Sequence, residues 1–531
     1  MDLRVCSRFT VQCIVVACLL TVSPLGAGGD GEKSDSKRWR YFFREAQFDR
    51  LLLDLAREHP PKSLILRGAT VLNLEGDFAL PDHAVVVENG SITAVAPSKD
   101  VPPRTGSLDV DLSGKFLAPG LVDMHVHTLT TSGHYLLDLV NGVTSVREMC
   151  GFKWLLSRRE QARKNRLLVP NLYLTGTILN GSEMEWYAIA VNDPEKARAL
   201  VREQKAAGYD FIKVHNVLRP RVYDAIADES KKLGIDLVGH IPHDISLAKA
   251  IQSGQRTFEH LKGYYSDRTL ELSKEDRVSL TKGAEVWNCP TLYTYRSGLR
   301  GDDVKKLLKS EEARYLSRDE REEWQAASIE SGGENHRKIR EQSLRILKEL
   351  EPIHPKLLVG TDSGGGYPMM VPGFAVHEEM RLLVEAGLSP SECLLAATSN
   401  AAQAMRRENE FGTVKPGLRA DLLVIDADPR QDVSSLSRIS GVSVRGIWLD
   451  RATLESVRER VRSVFADDQG IADGQVPTSE QVEKLLASVT QLEKEGAIQM
   501  DHNLRELREL LIKAKYSTAA VDALWAARKS S

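Results

Sequence analysis

His125 and His127 stand one residue apart at the end of Leu121-Val-Asp-Met-His-Val-His. The run is short, apolar and rich in β-branched residues, and it is entered through Pro119-Gly120, the pattern of a buried strand behind a turn. Side chains alternate along a strand, so two residues at this spacing point to the same side. Two neutral imidazoles side by side make half of a metal site. Taken alone, the pair is equally well explained as two histidines satisfied by hydrogen bonds at a strand terminus.

Four other residues with metal chemistry occupy similar positions. His240 closes Leu237-Val-Gly-His, His260 closes Thr257-Phe-Glu-His, and Asp362 closes Leu357-Leu-Val-Gly-Thr-Asp. Each apolar run reads as a strand that delivers a polar side chain at its end. Lys213 lies inside Phe211-Ile-Lys-Val-His. A lysine in a buried strand is costly unless it is neutralised, paired or modified. His215 follows two residues later and is left unassigned. Cys150, Cys289 and Cys393 are widely spread and form no Cys-x-x-Cys pair. A metal must therefore rely on histidine, carboxylate or a modified lysine.

The elements that position these residues alternate along the middle of the chain. Strands are expected near 121–127, 141–147, 171–176, 211–215, 237–240, 257–260, 285–289 and 357–362, with helices such as 193–207, 222–233 and 245–253 between them. That order predicts a parallel sheet closed by crossover helices. Two β-rich pieces flank it, with a hairpin turn at Asn89-Gly90 in the first. Residues 300–350 are longer and more charged than a barrel connection needs. They read as two or three solvated helices broken near Ser331, either a surface insertion or a lid over the mouth. Further helices are expected at 479–495 and 503–515.

The segment Pro119-Gly-Leu-Val-Asp-Met-His-Val-His closely resembles the metal-binding signature of the amidohydrolase superfamily, in its imidazolonepropionase-like and prolidase-like branch. Thr361-Asp-Ser-Gly-Gly, the stretch 377–390, Ala397-Thr-Ser-Asn-Ala-Ala and the run 412–426 are similar to further elements of that family. Two departures, Glu148 after Arg147 and Met405-Arg406 after Asn400-Ala-Ala, fall outside ligand positions. The resemblance spans roughly 62–450. It implies an α/β protein with a distorted (β/α)8 TIM barrel over 119–405. A small β-sandwich built from 62–118 and 410–455 would lie beside it, with an N-terminal helix at 36–59 and a helical C-terminal extension at 466–531 outside the family pattern.

The resemblance also implies a ligand set. One metal takes His125, His127, carboxylated Lys213 and Asp362, and the other takes Lys213, His240 and His260. Zinc suits such N and O donors. The mononuclear variant of the superfamily uses His125, His127, His240 and Asp362, and His260 then polarises the substrate. Water held between two such cations loses a proton near neutral pH. Asp362 and His260 are the expected catalytic side chains, with Asp362 passing the proton to the leaving amine. The expected reaction is hydrolysis of a C–N amide bond in a small molecule, a dipeptide or an N-acyl amino acid. An esterase or lactonase on the same site and a non-catalytic binding barrel are the alternatives. Tyr293, Tyr295, Trp186 and Tyr187 are candidates for the pocket wall, and Arg296 or Arg219 for a substrate carboxylate.

With 71 basic and 74 acidic residues among 531, a net charge of −3, the chain carries no nucleic-acid footprint. Arg4 and Arg8, the apolar run 9–22 and the small residues 24–29 read as a signal peptide over 1–28. Secretion or export to a periplasm is the expectation, with no membrane contact after cleavage; an uncleaved membrane anchor is the alternative, for which the apolar run is short. The C-terminal helices can support a homo-oligomer.

Overall fold

Five short strands precede Gly120: β1 (Leu64–Asn73), β2 (Phe78–Glu88), β3 (Ser91–Pro97), β4 (Leu108–Asp111) and β5 (Phe116–Pro119). The computed structural model describes residues 31–529 apart from 77, 129, 183–186, 266–271, 328–332, 365–368 and 497–500. The expected signal peptide and Trp186 lie outside the described residues. β1 and β2 pair antiparallel, β2 turns into β3 through Asn89-Gly90, and β5 runs parallel to β1. Asn89 has φ 50° and Gly90 φ 77°, the left-handed pair that such a hairpin turn requires.

The barrel begins one residue after β5. Its strands are β6 (Leu121–Val126), β7 (Val143–Glu148) and β8 (Asn171–Leu174), followed after two small mouth-side strands, β9 (Ile178–Asn180) and β10 (Ala188–Ala190), by β11 (Phe211–Val214), β12 (Asp236–Gly239), β13 (Thr257–Glu259) and β14 (Trp287–Cys289). Parallel ladders join β6 to β7 to β8 and β11 through β14, with register shifts in the β6–β7 pair. Single parallel bridges complete the circuit. Thr175 meets Phe211, Asn288 meets Leu357, and Ser363 meets Val126. The stretch 357–363 is thus the eighth stave, set between β14 and β6. The ring is closed by single bridges between β8 and β11 and on both sides of 357–363, so the barrel is distorted there. Val122, Met124, Phe211, Val238, Trp287 and Leu358 belong to one buried cluster that fills the interior.

After the barrel the chain returns to the first sheet. β15 (Leu422–Ile425) pairs antiparallel with β5, and β16 (Ile439–Val444) and β17 (Ile447–Asp450) extend the same sheet. Both flanks therefore build one sheet, joined to the barrel through Gly120 at the start of β6. The last strand ends at Asp450, and the helix Arg451–Ala466 starts inside the segment expected to be β-rich up to 455. Asp450 caps that helix by accepting a hydrogen bond from the Thr453 N–H at 2.8 Å, so the helix start is built into the strand end.

The N-terminal helix runs from Gly31 to Glu58, five residues longer at its start than expected. Trp39, Phe48 and Leu52 are fully buried. Gly133, first residue of the helix after β6, lies against the Phe48 ring, where a side chain would collide with it at 2.6 Å. The helices Ser479–Lys494, Asp501–Lys513 and Ala519–Lys529 complete the chain. Within 300–350, the helices Asp302–Leu307, Arg318–Ala327 and Glu334–Leu350 are amphipathic rather than simply solvated, since Trp324, Ile346, Leu347 and Leu350 are buried. The expected break at 331 falls on residues outside the description.

Candidate metal centre

All six expected site residues emerge at the same end of the barrel. In β11, Phe211 and Lys213 share a face, so the interior that accepts Phe211 also receives the lysine. The same alternation in β12 leads from Val238 to His240. Gly239, at φ 118°, keeps this passage open: a Cβ there would lie 2.3 Å from the Val214 carbonyl and 3.2 Å from Lys213 Cδ. In β6 the pairing with β7 is irregular between Asp123 and Val126. The Asp123 carboxylate accepts the His125 N–H at 3.1 Å and the Thr361 N–H and hydroxyl at 3.0 and 2.6 Å. This kink turns His125 and His127 inward beyond Val122 and Met124.

Four residues meet directly. Asp362 Oδ1 lies 3.3 Å from His125 Nε2 and 3.1 Å from His127 Nε2. Lys213 Nζ is 3.3 Å from the same His125 nitrogen. His260 Nε2 is 4.0 Å from Asp362 Oδ2, and its ring centre is 4.8 Å from those of both His125 and His240. His240 also faces His215, with ring centres 4.1 Å apart. The geometry therefore has two halves, one gathered on Asp362 Oδ1 and one made of His240 and His260.

The outer nitrogens define the tautomers. His125 Nδ1 is 2.9 Å from Glu259 Oε2, which can only accept while ionised. Arg147 and Thr257 also bind Glu259, at 2.8 and 2.5 Å, and Arg147 holds that carboxyl far below its ordinary range despite burial. His240 Nδ1 lies 2.7 Å from Asn216 Oδ1. His260 Nδ1 lies 2.5 Å from Thr291 Oγ1, whose proton goes to the Pro290 carbonyl at 2.8 Å. Each of these histidines donates from Nδ1, which leaves a lone pair on Nε2 facing the interior. Burial depresses all three imidazoles, His260 to about 4, so they are neutral.

Asp362 Oδ1 faces the Nε2 atoms of His125 and His127. Its other oxygen, Oδ2, accepts the Thr294 hydroxyl at 3.1 Å. The arrangement then sets the His125 Nε2 lone pair against an anionic oxygen at 3.3 Å. Two acceptors at that separation repel, and a shared cation removes the repulsion. For N and O ligands about 2.0–2.1 Å from a tetrahedral metal, neighbouring donors sit roughly 3.3 Å apart. The donor set present fits a divalent metal. His125, His260 and Asp362 by themselves bring three ligand atoms within 4.8 Å of one another.

Lys213 is buried, and among the described residues no carboxylate is in hydrogen-bond contact with it. Burial lowers its amine's pKa, against Glu259 and Asp362, which pull it upward. His260 and Asp362 have φ 60° and 61°, and Thr291 has φ 50°. Three non-glycine residues in left-handed backbone around one site are strain that the surrounding fold must hold in place.

Sequence reasoning missed the residues that orient the ligands. Glu259 had a signal, a charged residue inside a strand that alternates inward with Thr257. Thr291 and Asn216 lie in loops and Thr294 in the short helical turn Leu292–Gly298, and none of them has a signal of its own. Arg296 is corrected as a cation for substrate: its guanidinium is bound to Glu312 and to the Tyr293 hydroxyl. Tyr293 is buried in that same ion pair and does not line the mouth. Arg219 is exposed at the start of the helix Pro220–Leu233. Tyr187 and Tyr295 are half-buried.

Comparison with known proteins adds independent findings. A sequence profile described as the amidohydrolase family matches residues 116–449. An adenine deaminase of Chelativorans sp. (strain BNC1) is 23% identical over 400 residues, covering 72% of this chain and 57% of that protein. An imidazolonepropionase of Vibrio parahaemolyticus is 22% identical over 430 residues, covering 73% of this chain and 98% of that one. The chain thus spans little more than half the length of the adenine deaminase it matches. Among solved structures, a bottromycin amidohydrolase superposes with a TM-score of 0.65 at 24% identity, covering 82% of this chain and 99% of that one. A protein described as a putative prolidase from Bifidobacterium longum gives 0.59 at 24% identity, covering 76% and 98%. These structures share the fold.

Proposed function

The chain belongs to the amidohydrolase family, and on that premise we propose that it hydrolyses an amide-type C–N bond in a dipeptide or an N-acyl amino acid. The proposed centre holds two divalent metals, zinc as the best match to the donors. One would be held by His125, His127, Lys213 and Asp362, the other by Lys213, His240 and His260. Such cations, when bound, acidify water and polarise a carbonyl oxygen. The observation that carries the reading is the gathering of His125 Nε2 and His127 Nε2 on Asp362 Oδ1, with Lys213 Nζ against the same His125 nitrogen and the His125 outer nitrogen tied to Glu259.

The chain's own residues have distinct tasks. Lys213, with its amine's pKa depressed by burial, attacks carbon dioxide through its neutral nitrogen. A C–N bond forms, one proton leaves, and the carbamate offers two oxygens where the amine offered one nitrogen. Asp362 turns Oδ1 to the histidines, so Oδ2 is the atom that takes a proton from the attacking water. It then passes that proton to the leaving nitrogen, which departs as an amine. Thr294 donates to Oδ2 and keeps it aimed. His260 is neutral and protonated at Nδ1, so its Nε2 can accept but not donate. That supports a ligand role over polarisation of the substrate carbonyl, and with it the binuclear reading over the mononuclear one.

A panel of dipeptides and N-acyl amino acids, run beside lactones and phosphotriesters on metal-replete protein, tests the assignment. Release of amine from members of the first group supports it. Turnover of the esters alone would replace it with the esterase reading. We further propose that the protein works outside the cytoplasm, on the composition of 1–28 alone. N-terminal sequencing of protein recovered from its host checks this, and an intact Met1 would oppose it.

A further inference from the structure

A substrate with a free carboxylate needs a cation near the second half of the centre, and the cations named so far are committed elsewhere. Arg147 is bound to Glu259, Arg296 to Glu312, and Arg219 is exposed beyond the barrel end. Lys213 belongs to the centre itself. The chain supplies another at the end of β13. His260 and Leu261 are consecutive left-handed residues, at φ 60° and 53°. They fold the chain back so that the Lys262 N–H bonds the Glu259 carbonyl at 3.1 Å. This turn places Lys262 two residues past the His260 imidazole.

Its surroundings join it to the site. The Lys262 ammonium is 5.8 Å from the centre of the Tyr265 ring. The Tyr265 hydroxyl donates to the His260 carbonyl at 3.1 Å and lies 3.3 Å from the Tyr295 hydroxyl. Tyr265 and Tyr295 thus form a wall that runs from Lys262 to His260. The side chain of Lys262 is half-buried, so water screens it only in part. The charge is felt inward: it lowers the pKa of His215, His240 and His260 alike. Lys262 thus stands on the His260 side of the centre, on the turn that follows that residue and against the Tyr265 ring. It already takes part in polar interactions of its own, and a carboxylate would exchange for those.

We propose that Lys262 binds the carboxylate of the amino-acid portion of the substrate, through a charge-assisted hydrogen bond beside the Tyr265–Tyr295 wall. This rests on the hydrolase reading above and names the residue that reads the free α-carboxylate such substrates carry. Lys262 is then a specificity residue and takes no part in moving the proton. A single ammonium accepts a carboxylate as a point charge, without the two-pronged geometry that arginine imposes.

The test compares ligands that differ only in that charge. N-sulfonyl amino acids resist hydrolysis and retain the carboxylate. A set with apolar, aromatic, basic and acidic side chains, each paired with its carboxamide, is titrated calorimetrically into metal-replete full-length protein and into Lys262→Met and Lys262→Arg. Metal content is measured alongside. Wild type is expected to bind the better acids about 10- to 100-fold more tightly than their amides, the scale of one hydrogen bond to a charged group. In Lys262→Met that ratio should collapse towards one, and Lys262→Arg should restore part of it. No binding of any acid, no preference in wild type, or a preference that survives Lys262→Met would each overturn the proposal. A fall in acid and amide binding by the same factor in Lys262→Met, which a structural role would produce, would overturn it too. Preferential acid binding that depends on Lys262, without hydrolysis of any amide in the activity panel, would sink the hydrolase reading and leave this one standing.

Discussion

Thr291→Val removes one hydroxyl from the support of the metal centre and little else. Thr291 is fully buried in left-handed backbone, at φ 50° and ψ 48°. Valine is β-branched like threonine, so the backbone strain is nearly the same in both chains. The hydroxyl has two partners. It donates to the Pro290 carbonyl at 2.8 Å and accepts from His260 Nδ1 at 2.5 Å. In the variant the Nδ1–H is buried without an acceptor, a cost of about 1–3 kcal/mol. His260 escapes that cost by moving its proton to Nε2, which then presents a hydrogen where a ligand lone pair stood. Loss of such an orienting partner weakens metal affinity by about 10- to 100-fold. Chelator competition should show this weakening for the second equivalent of metal, with the first, held on Asp362, changed far less. Thr291→Ser restores the hydroxyl and should return affinity close to wild type. Equal affinities for both equivalents in Thr291→Val and wild type would refute the argument that this hydroxyl sets the His260 tautomer. So would a Thr291→Ser protein as weak as the valine variant.

Glu259→Gln leaves the Arg147 guanidinium buried without its counter-charge, and breaking a buried pair in this way costs about 3–5 kcal/mol. Urea unfolding should detect it as a lower midpoint, and an unchanged midpoint would show that Arg147 finds other support. Glu379 is buried under Leu292 and Tyr293, whose N–H groups bind its two oxygens at 3.0 and 2.7 Å, and burial still pushes its carboxyl up to about 8. A carboxyl with its folded pKa raised holds its proton more tightly when folded than when unfolded. Its contribution is therefore complete below about pH 4 and is lost as pH rises towards 8. Thermal stability should decline over that window, and Glu379→Gln should flatten the decline. A variant with the wild-type pH slope would count against it.

Much of the barrel was legible because its staves are short apolar runs that end in a polar residue. His240, His260 and Asp362 each stand directly after such a run, and Lys213 stands out as the charge inside one. Periodicity and burial act on adjacent residues there, so local sequence carried the information. The supports of the site were hidden for the opposite reason. Thr291 and Thr294 contact His260 and Asp362 across 31 and 68 residues of chain, and nothing in a threonine announces such a partner. Arg296 illustrates the converse error. It sits beside the mouth in sequence, but Glu312 from the following insertion takes its charge. The N-terminal helix showed its apolar face plainly. Its packing against the body could be read from that face, but its partners could not, because they arrive from elsewhere: Glu45 and Asp49 accept from Ser132, at the start of the helix that follows His127. The stretch between Asp123 and Val126 looked like plain alternation. The kink that turns both histidines inward depends on Thr361, far along the chain.

The central claim is that Lys213 couples two metals at one centre, and metal content of the purified full-length chain tests it most directly. Wild type, loaded and then freed of excess metal in the presence of bicarbonate, should retain about two divalent ions per chain, while Lys213→Ala should retain at most one. Wild type that saturates below one equivalent, with a content unaltered by His125→Ala, would contradict the account.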